Sequence, residues 1–153
     1  MGNTSTADDL AINELTAFFG EGAGMPTAAQ WRALQAGPAE APICVINLVK
    51  LRPVADYGPG STEPSRSGLE AFMRYGAGST PRIVANGGAV VFGGGVQPTL
   101  VGDDEAWDIG VVVNWPSRRA MIALFQDPAY RAIFFHRRAA VDRYRASVIA
   151  APG

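Results

Sequence analysis

The sequence predicts an α+β fold in which one antiparallel sheet carries helices on a single face. Two stretches make the case. From Trp107 the odd positions (Trp107, Ile109, Val111, Val113, Trp115) are large and apolar, while the polar side chains fall at even ones (Asp108, Asn114), which is the period of a strand with two unlike faces. After it, Met121, Ile122 and Phe125, and then Tyr130, Ile133, Phe134, Arg137 and Val141, recur at helical spacing on either side of Asp127-Pro128. Pro116 stops the first ladder, and the hydroxyl of Ser117 can accept from the free N–H groups of the helix it opens. A last strand is expected from Tyr144 to Ile149.

Taken in order, Ala7 to Phe19 forms an amphipathic helix with Leu15, Phe18 and Phe19 on one side, ended by the glycines at 20, 22 and 24. That stretch reads as a flexible linker rather than a phosphate loop, because no strand precedes it and no Lys-Ser/Thr follows. Thr27 and Gln30 have capping-box spacing and open a short helix with Trp31 and Leu34. Ile43 to Leu51 is a central strand by its β-branched content, with Asn47 and Lys50 as polar exceptions on opposite faces. Arg52 to Arg66, rich in Pro, Gly and Ser and carrying Tyr57, is a long loop of the kind that serves as a lid.

Ser67 and Glu70 form a second capping box, opening a helix that buries Leu69, Phe72 and Met73 and that Gly76 to Gly78 should end, with a further turn at Pro81 to Val84. Gly87-Gly88 turns into a strand over Ala89 to Phe92. Gly93 to Gly95 then invites a bulge or tight bend before Gln97 to Val101. Gly102 to Glu105 is an acidic turn without the ligand alternation of a Ca²⁺ loop. Two helices followed by β-α-β-β-α-β give a ferredoxin-like arrangement. Residues 1–41 are then an N-terminal helical extension and residues 42–153 the ferredoxin-like domain. The sheet face without helices must be covered, by a second copy in a homodimer or by the N-terminal helices.

With 153 residues, 48% of them hydrophobic and 18% charged, one globular core is expected. A net charge of −1 offers no basic field, so nucleic acid is not an expected partner. Cys44 is the lone cysteine, which excludes an intrachain disulfide and calls for no oxidising compartment. Asp8 and Asp9 stand where a secretory signal needs basic residues, and no apolar run approaches the roughly 18 residues of a membrane span. A cytoplasmic protein with no membrane partner is the expectation.

From Val45 onward the chain resembles the dimeric α+β-barrel superfamily, specifically its uncharacterised branch of short stand-alone proteins. The likeness rests on VINLVKLR at Val45 to Arg52, Tyr57, Ser67-Gly-Leu-Glu-Ala71 with Tyr75-Gly76, Gly87-Gly88, Trp107-Asp108, Pro116-Ser117-Arg118, Pro128-Ala-Tyr130 and His136-Arg137, in that order and over about two-thirds of the chain. Residues 1–41 lie outside it, and Asp142-Arg143-Tyr144-Arg145 departs from the Asp-Ser-Arg-Leu usual in that branch. The resemblance implies a homodimer with a barrel cavity. It implies no particular reaction, since relatives include cofactor-free monooxygenases, muconolactone isomerases and haem-handling proteins that share the cavity rather than a set of catalytic residues.

His136 is the lone histidine and the natural acid–base candidate; the alternative is a helix-surface or interface residue. Arg137 falls on an apolar stripe and so needs a partner, either Asp108 in a buried ion pair or the carboxylate of a substrate. Asn47, Asp108 and Asn114 would orient a ligand in the barrel if they share the open face, or else pair across a dimer contact. Tyr57 and Tyr75 would close the cavity as donors to a substrate oxygen, or pack with wet tips; Tyr130 is expected in the core. One His and one Cys fall short of a zinc ligand set, and neither a dinucleotide fingerprint nor a nucleophile elbow is present, so neither metal nor cofactor is expected. The expected function is therefore to take a small, largely apolar organic molecule into a cavity. It would do so as an enzyme with cofactor-independent monooxygenase or isomerase-like acid–base chemistry, as a binding protein, or as a purely structural homodimer with the cavity filled.

Overall fold

The computed structural model describes residues 3–152, and within the first helix the side chains from residue 7 onward; Met1 and Gly2 of the extension and Gly153 lie outside the described residues. The elements are α1 (Asn3–Phe19), α2 (Ala28–Gln35), β1 (Ile43–Leu51), α3 (Gly68–Ala85), β2 (Ala89–Gly95), β3 (Ile109–Trp115), α4 (Arg118–Gln126), α5 (Pro128–Ala140) and β4 (Val141–Ala150). The strands lie in the order β2-β3-β1-β4 with every neighbouring pair antiparallel, the ferredoxin-like sheet. No helix among the described residues is long and apolar enough to cross a membrane.

The local signals act as their chemistry requires. Thr27 and Ser67 each close a full capping box, with Gln30 and Glu70 returning the bond to the cap's own N–H. Asp127 caps α5 by accepting from Ala129 N–H, and Pro128 sits at the first helical position, where a missing N–H costs no hydrogen bond. The Asp127 carboxylate also accepts from Arg82 at 2.7 Å and from Asn86 at 3.0 Å, tying the end of α3 to the start of α5.

Three expectations fail for tertiary reasons. Helix α3 runs unbroken through Gly76–Gly78 and Pro81. A Cβ at Gly78 would lie 3.1 Å from the Ile133 side chain, so the glycine is where α3 and α5 approach, and that packing outweighs poor propensity. The glycine run at 93–95 stays in the β2 ladder, and the bulge falls instead between Val90 and Phe92. Gln97 to Val101 is not a strand, and Leu100 and Val101 stand exposed. Strand β3 also begins two residues after Trp107, whose indole N–H donates to Glu105 and whose face carries Arg143.

Helices α1 and α2 extend the helical layer rather than capping the bare sheet face. Phe19 meets Phe125 and Phe134 edge-on, Trp31 meets Phe125, and Glu14 pairs with Arg131. The connector at residues 20–25 is a closed turn, with Gly22 and Met25 exchanging backbone bonds of 3.0 Å, and not a flexible linker. The opposite sheet face, with Ile46, Leu48, Val112, Phe92 and Ile149 on it, is left uncovered by this chain.

The long loop after β1 is a strap rather than a hinged lid. Its Arg52 and Asp56 N–H groups donate to the Ala140 and Ala139 carbonyls at 2.8 and 2.9 Å, satisfying acceptors that the end of α5 leaves free.

Candidate functional site

A cleft of about 980 Å³ lies between the helix-side face of the sheet and α3. It exists because the two surfaces do not close. Leu69 and Met73, expected in the core, are 52% and 63% exposed along its rim. On the facing wall Gly93 and Gly95 occupy the register positions opposite Val111 and Ile109, where a side chain would otherwise fill the gap.

Arg137 forms the base of the cleft. Its side chain leaves α5 into the core, and the residue is 7% exposed. One guanidinium nitrogen donates to the hydroxyls of Tyr75 (3.3 Å) and Tyr130 (3.5 Å), the other to the Gly24 carbonyl (3.0 Å), and the plane lies 4.0 Å over the Tyr144 ring. Tyr75 and Tyr130 share a 2.6 Å bond, and Tyr144 donates to Asn47 Oδ1 at 2.8 Å. Asn47 in turn donates to the Val111 carbonyl at 3.0 Å, which fixes its amide.

The charge of this group is uncompensated by any carboxylate contact among the described residues. The expected Arg137–Asp108 pair does not form, because Asp108 lies at the mouth of the cleft, where it accepts from Lys50 at 3.3 Å and from Leu51 N–H at 2.8 Å. Burial opposes the Arg137 charge, yet the phenol oxygens of Tyr144, Tyr75 and Tyr130 hold its pKa above the ordinary value. Burial pushes the Tyr144 phenol up to about 12 and raises Tyr130 as well, so both keep their protons at neutral pH. The base of the cleft is thus a cation beside the neutral hydroxyls of Tyr130 and Tyr144.

The expected site residues fall into three places. Asn47, Tyr75 and Arg137 come together at the base, and Asp108 stands at the mouth. Asn114 faces away, beside Cys44 on the other side of the sheet, so Asn47 and Asn114 do not share a face. His136 and Tyr57 meet each other outside the cleft. The Tyr57 hydroxyl lies 2.7 Å from His136 Nδ1 and accepts from Arg66 at 2.8 Å, and Arg66 pairs with Glu63. Adjacent residues on a helix point about 100° apart, which is why Arg137 enters the cleft and His136 meets the strap.

Sequence reasoning missed Tyr130 as a polar participant, Tyr144, Arg52 and the Gly24 carbonyl. For Tyr144 a signal was present, since the β1–β4 register sets it opposite Val49 on the helix-side face. Gly24 O, a backbone atom contributed across 113 residues, has no such signature.

Burial, together with Arg66 and Arg74 but against the attraction of Glu63, lowers the His136 pKa below its usual 6.5. With Arg66 donating to the Tyr57 oxygen, the Tyr57 hydroxyl proton can go to Nδ1 of the neutral ring, and protonation of the ring removes that acceptor. A depressed histidine contributes stability that is present above 6.5 and lost as pH falls through the folded-state pKa. Between pH 7.5 and 5.5 wild type should therefore lose more melting temperature than His136→Asn. The difference should be about 2–4 °C, the worth of one hydrogen bond of about 1 kcal/mol; equal losses would mean that the folded ring titrates as it does in the unfolded chain.

A family model described as "Domain of unknown function (DUF1330)" matches residues 67–151. Two solved structures of one protein also match the chain. A crystal structure of methylated RPA0582 is 35% identical with a TM-score of 0.75, covering 86% of this chain and 98% of that one. A structure of RPA0582, a protein of unknown function from Rhodopseudomonas palustris and a structural genomics target, is 35% identical with a TM-score of 0.75, covering 87% and 99%. No curated protein matches. The ferredoxin-like fold and the likeness to the uncharacterised branch of the α+β-barrel proteins are thereby shown.

Proposed function

The chain belongs to the DUF1330 family of unknown function, and on that premise we propose that it binds a small, largely apolar organic anion, a carboxylate, with the charged end on Arg137 and the hydrocarbon along the cleft. The observation that carries this is a buried guanidinium with no carboxylate partner at the base of a cleft walled by Phe72, Val111 and Val113. A charge in so apolar a place favours an opposite charge, and the neighbouring phenols can donate to the second carboxylate oxygen.

Binding without turnover is the reading best supported. Asp108 is the one carboxylate among the described lining residues and is committed to Lys50 and Leu51, the Tyr130 and Tyr144 phenols hold their protons, and His136 is not part of the lining. A homodimer goes with this function, since the uncovered sheet face carries Ile46, Leu48 and Val112 and leaves Phe92 75% exposed, and a two-fold pairing of that face would bury all of them.

Octanoate and octan-1-ol separate the charge from the chain. In native mass spectrometry a dimer should retain octanoate and not the alcohol. In thermal melting, octanoate at 100 times its dissociation constant should stabilise by about 2.7 kcal/mol, several degrees. Equal effects of acid and alcohol would remove Arg137 from the explanation.

A further inference from the structure

The cleft holds a second guanidinium with an open donor. Arg52 lines it at the mouth, where β1 ends and β3 begins. Its Nε is buried without a hydrogen-bond partner, and Arg52 takes part in none of the ion pairs found among the described residues. The neighbouring cation, Lys50, is engaged by Asp108, so the local carboxylate is not available to Arg52. An orphaned buried donor costs free energy unless something completes it.

The backbone that carries this side chain is fixed. Arg52 N–H donates to the Ala140 carbonyl at 2.8 Å, and Gly68 in the first turn of α3 sits so close that a Cβ there would lie 1.9 Å from Arg52 O. Any larger residue at 68 would push the strap away. The Arg52 backbone is thus held in place ahead of any ligand, which lowers the cost of ordering its side chain on binding.

We infer that the cleft takes an organic dianion, a dicarboxylate with an apolar spacer, whose first carboxylate meets Arg137 and whose second meets Arg52. This rests on the anion-binding function proposed above and names its substrate class. Arg137 stacks on Tyr144, whose register partner is Val49, three residues before Arg52. At about 3.3 Å per strand residue the Arg52 backbone lies roughly 10 Å along the strand from the level of Tyr144, so a diacid lying alongside both guanidinium groups needs a spacer of about that length, for which octanedioate is the probe.

The test is calorimetric titration of the full chain with octanoate and octanedioate, on wild type and Arg52→Met. Octanedioate should bind wild type about tenfold more tightly than octanoate, and in Arg52→Met the ratio of the two should fall to about one. A diacid series on wild type gives a second measurement that needs no variant: the preference over the monoacid should peak near eight carbons and vanish at butanedioate. Octanoate binding with no preference for any diacid overturns this inference and leaves the monoanion site standing. No binding of either acid overturns both.

Discussion

Arg137→Met should abolish carboxylate binding while the protein stays folded. The loss should exceed 100-fold, about 3 kcal/mol, because the substitution removes the cation at the base of the cleft together with its donor nitrogens. Truncating one member of a buried ion pair usually destabilises a fold, since the other charge is left stranded. Here no other charge is present to strand. Tyr75 and Tyr130 keep their 2.6 Å bond, and Tyr144 keeps Asn47. What is lost are the bonds to the Gly24 carbonyl and to the Tyr75 and Tyr130 hydroxyls, and the 4.0 Å stack on Tyr144, and the methionine chain can fill part of the space. Melting temperature within about 3 °C of wild type, together with lost octanoate binding in calorimetry, is the expected pair of results; a fall of several kcal/mol in stability would make Arg137 a structural residue.

Gly93→Val should do the reverse, stabilising the protein and closing the cleft. The backbone at Gly93 is not left-handed, and an added Cβ would meet its nearest neighbours, Gly110 O and the Val111 methyls, at 3.7 to 3.9 Å, ordinary contact distances. Neither conformation nor crowding therefore requires glycine there. A strand interior favours valine over glycine by about 1 kcal/mol, so the melting temperature should rise about 2–4 °C. The two added methyls project between sheet and α3, and octanoate affinity should drop at least tenfold. Gains in stability with binding intact would mean that the ligand does not run along β2.

Much of the fold was legible because its signals are local. The alternation from Trp107 to Trp115, the boxes at Thr27 and Ser67, and Asp127-Pro128 each fix an element with residues a few positions apart. What was not legible depends on distant partners. Gly78 permits a helix because Ile133 comes to meet it, and the glycines of β2 stay extended because β3 holds them. The site divides in the same way. That Arg137 is buried followed from its stripe on α5, but its partner did not, since Asp108 lies beyond the start of β3 on the even phase that turns from the core. His136 drew attention by chemistry alone, and only the course of the strap shows that its neighbour is Tyr57.

If the proposed anion sits on Arg137, the Gly24 carbonyl places it and the turn between α1 and α2 in one thermodynamic cycle. The same guanidinium that would hold an anion also holds the turn between α1 and α2, through the nitrogen 3.0 Å from that oxygen. Linkage is reciprocal: if an anion draws that nitrogen towards itself, it weakens the hold on the extension by the same factor by which a docked extension weakens the anion. If both can be served at once without adjustment, the two are independent. In the first case affinity in the cleft and the docking of α1 and α2 are coupled, and a chain shortened ahead of β1 would bind the proposed anion with a different constant, although the cleft's lining begins at Val45.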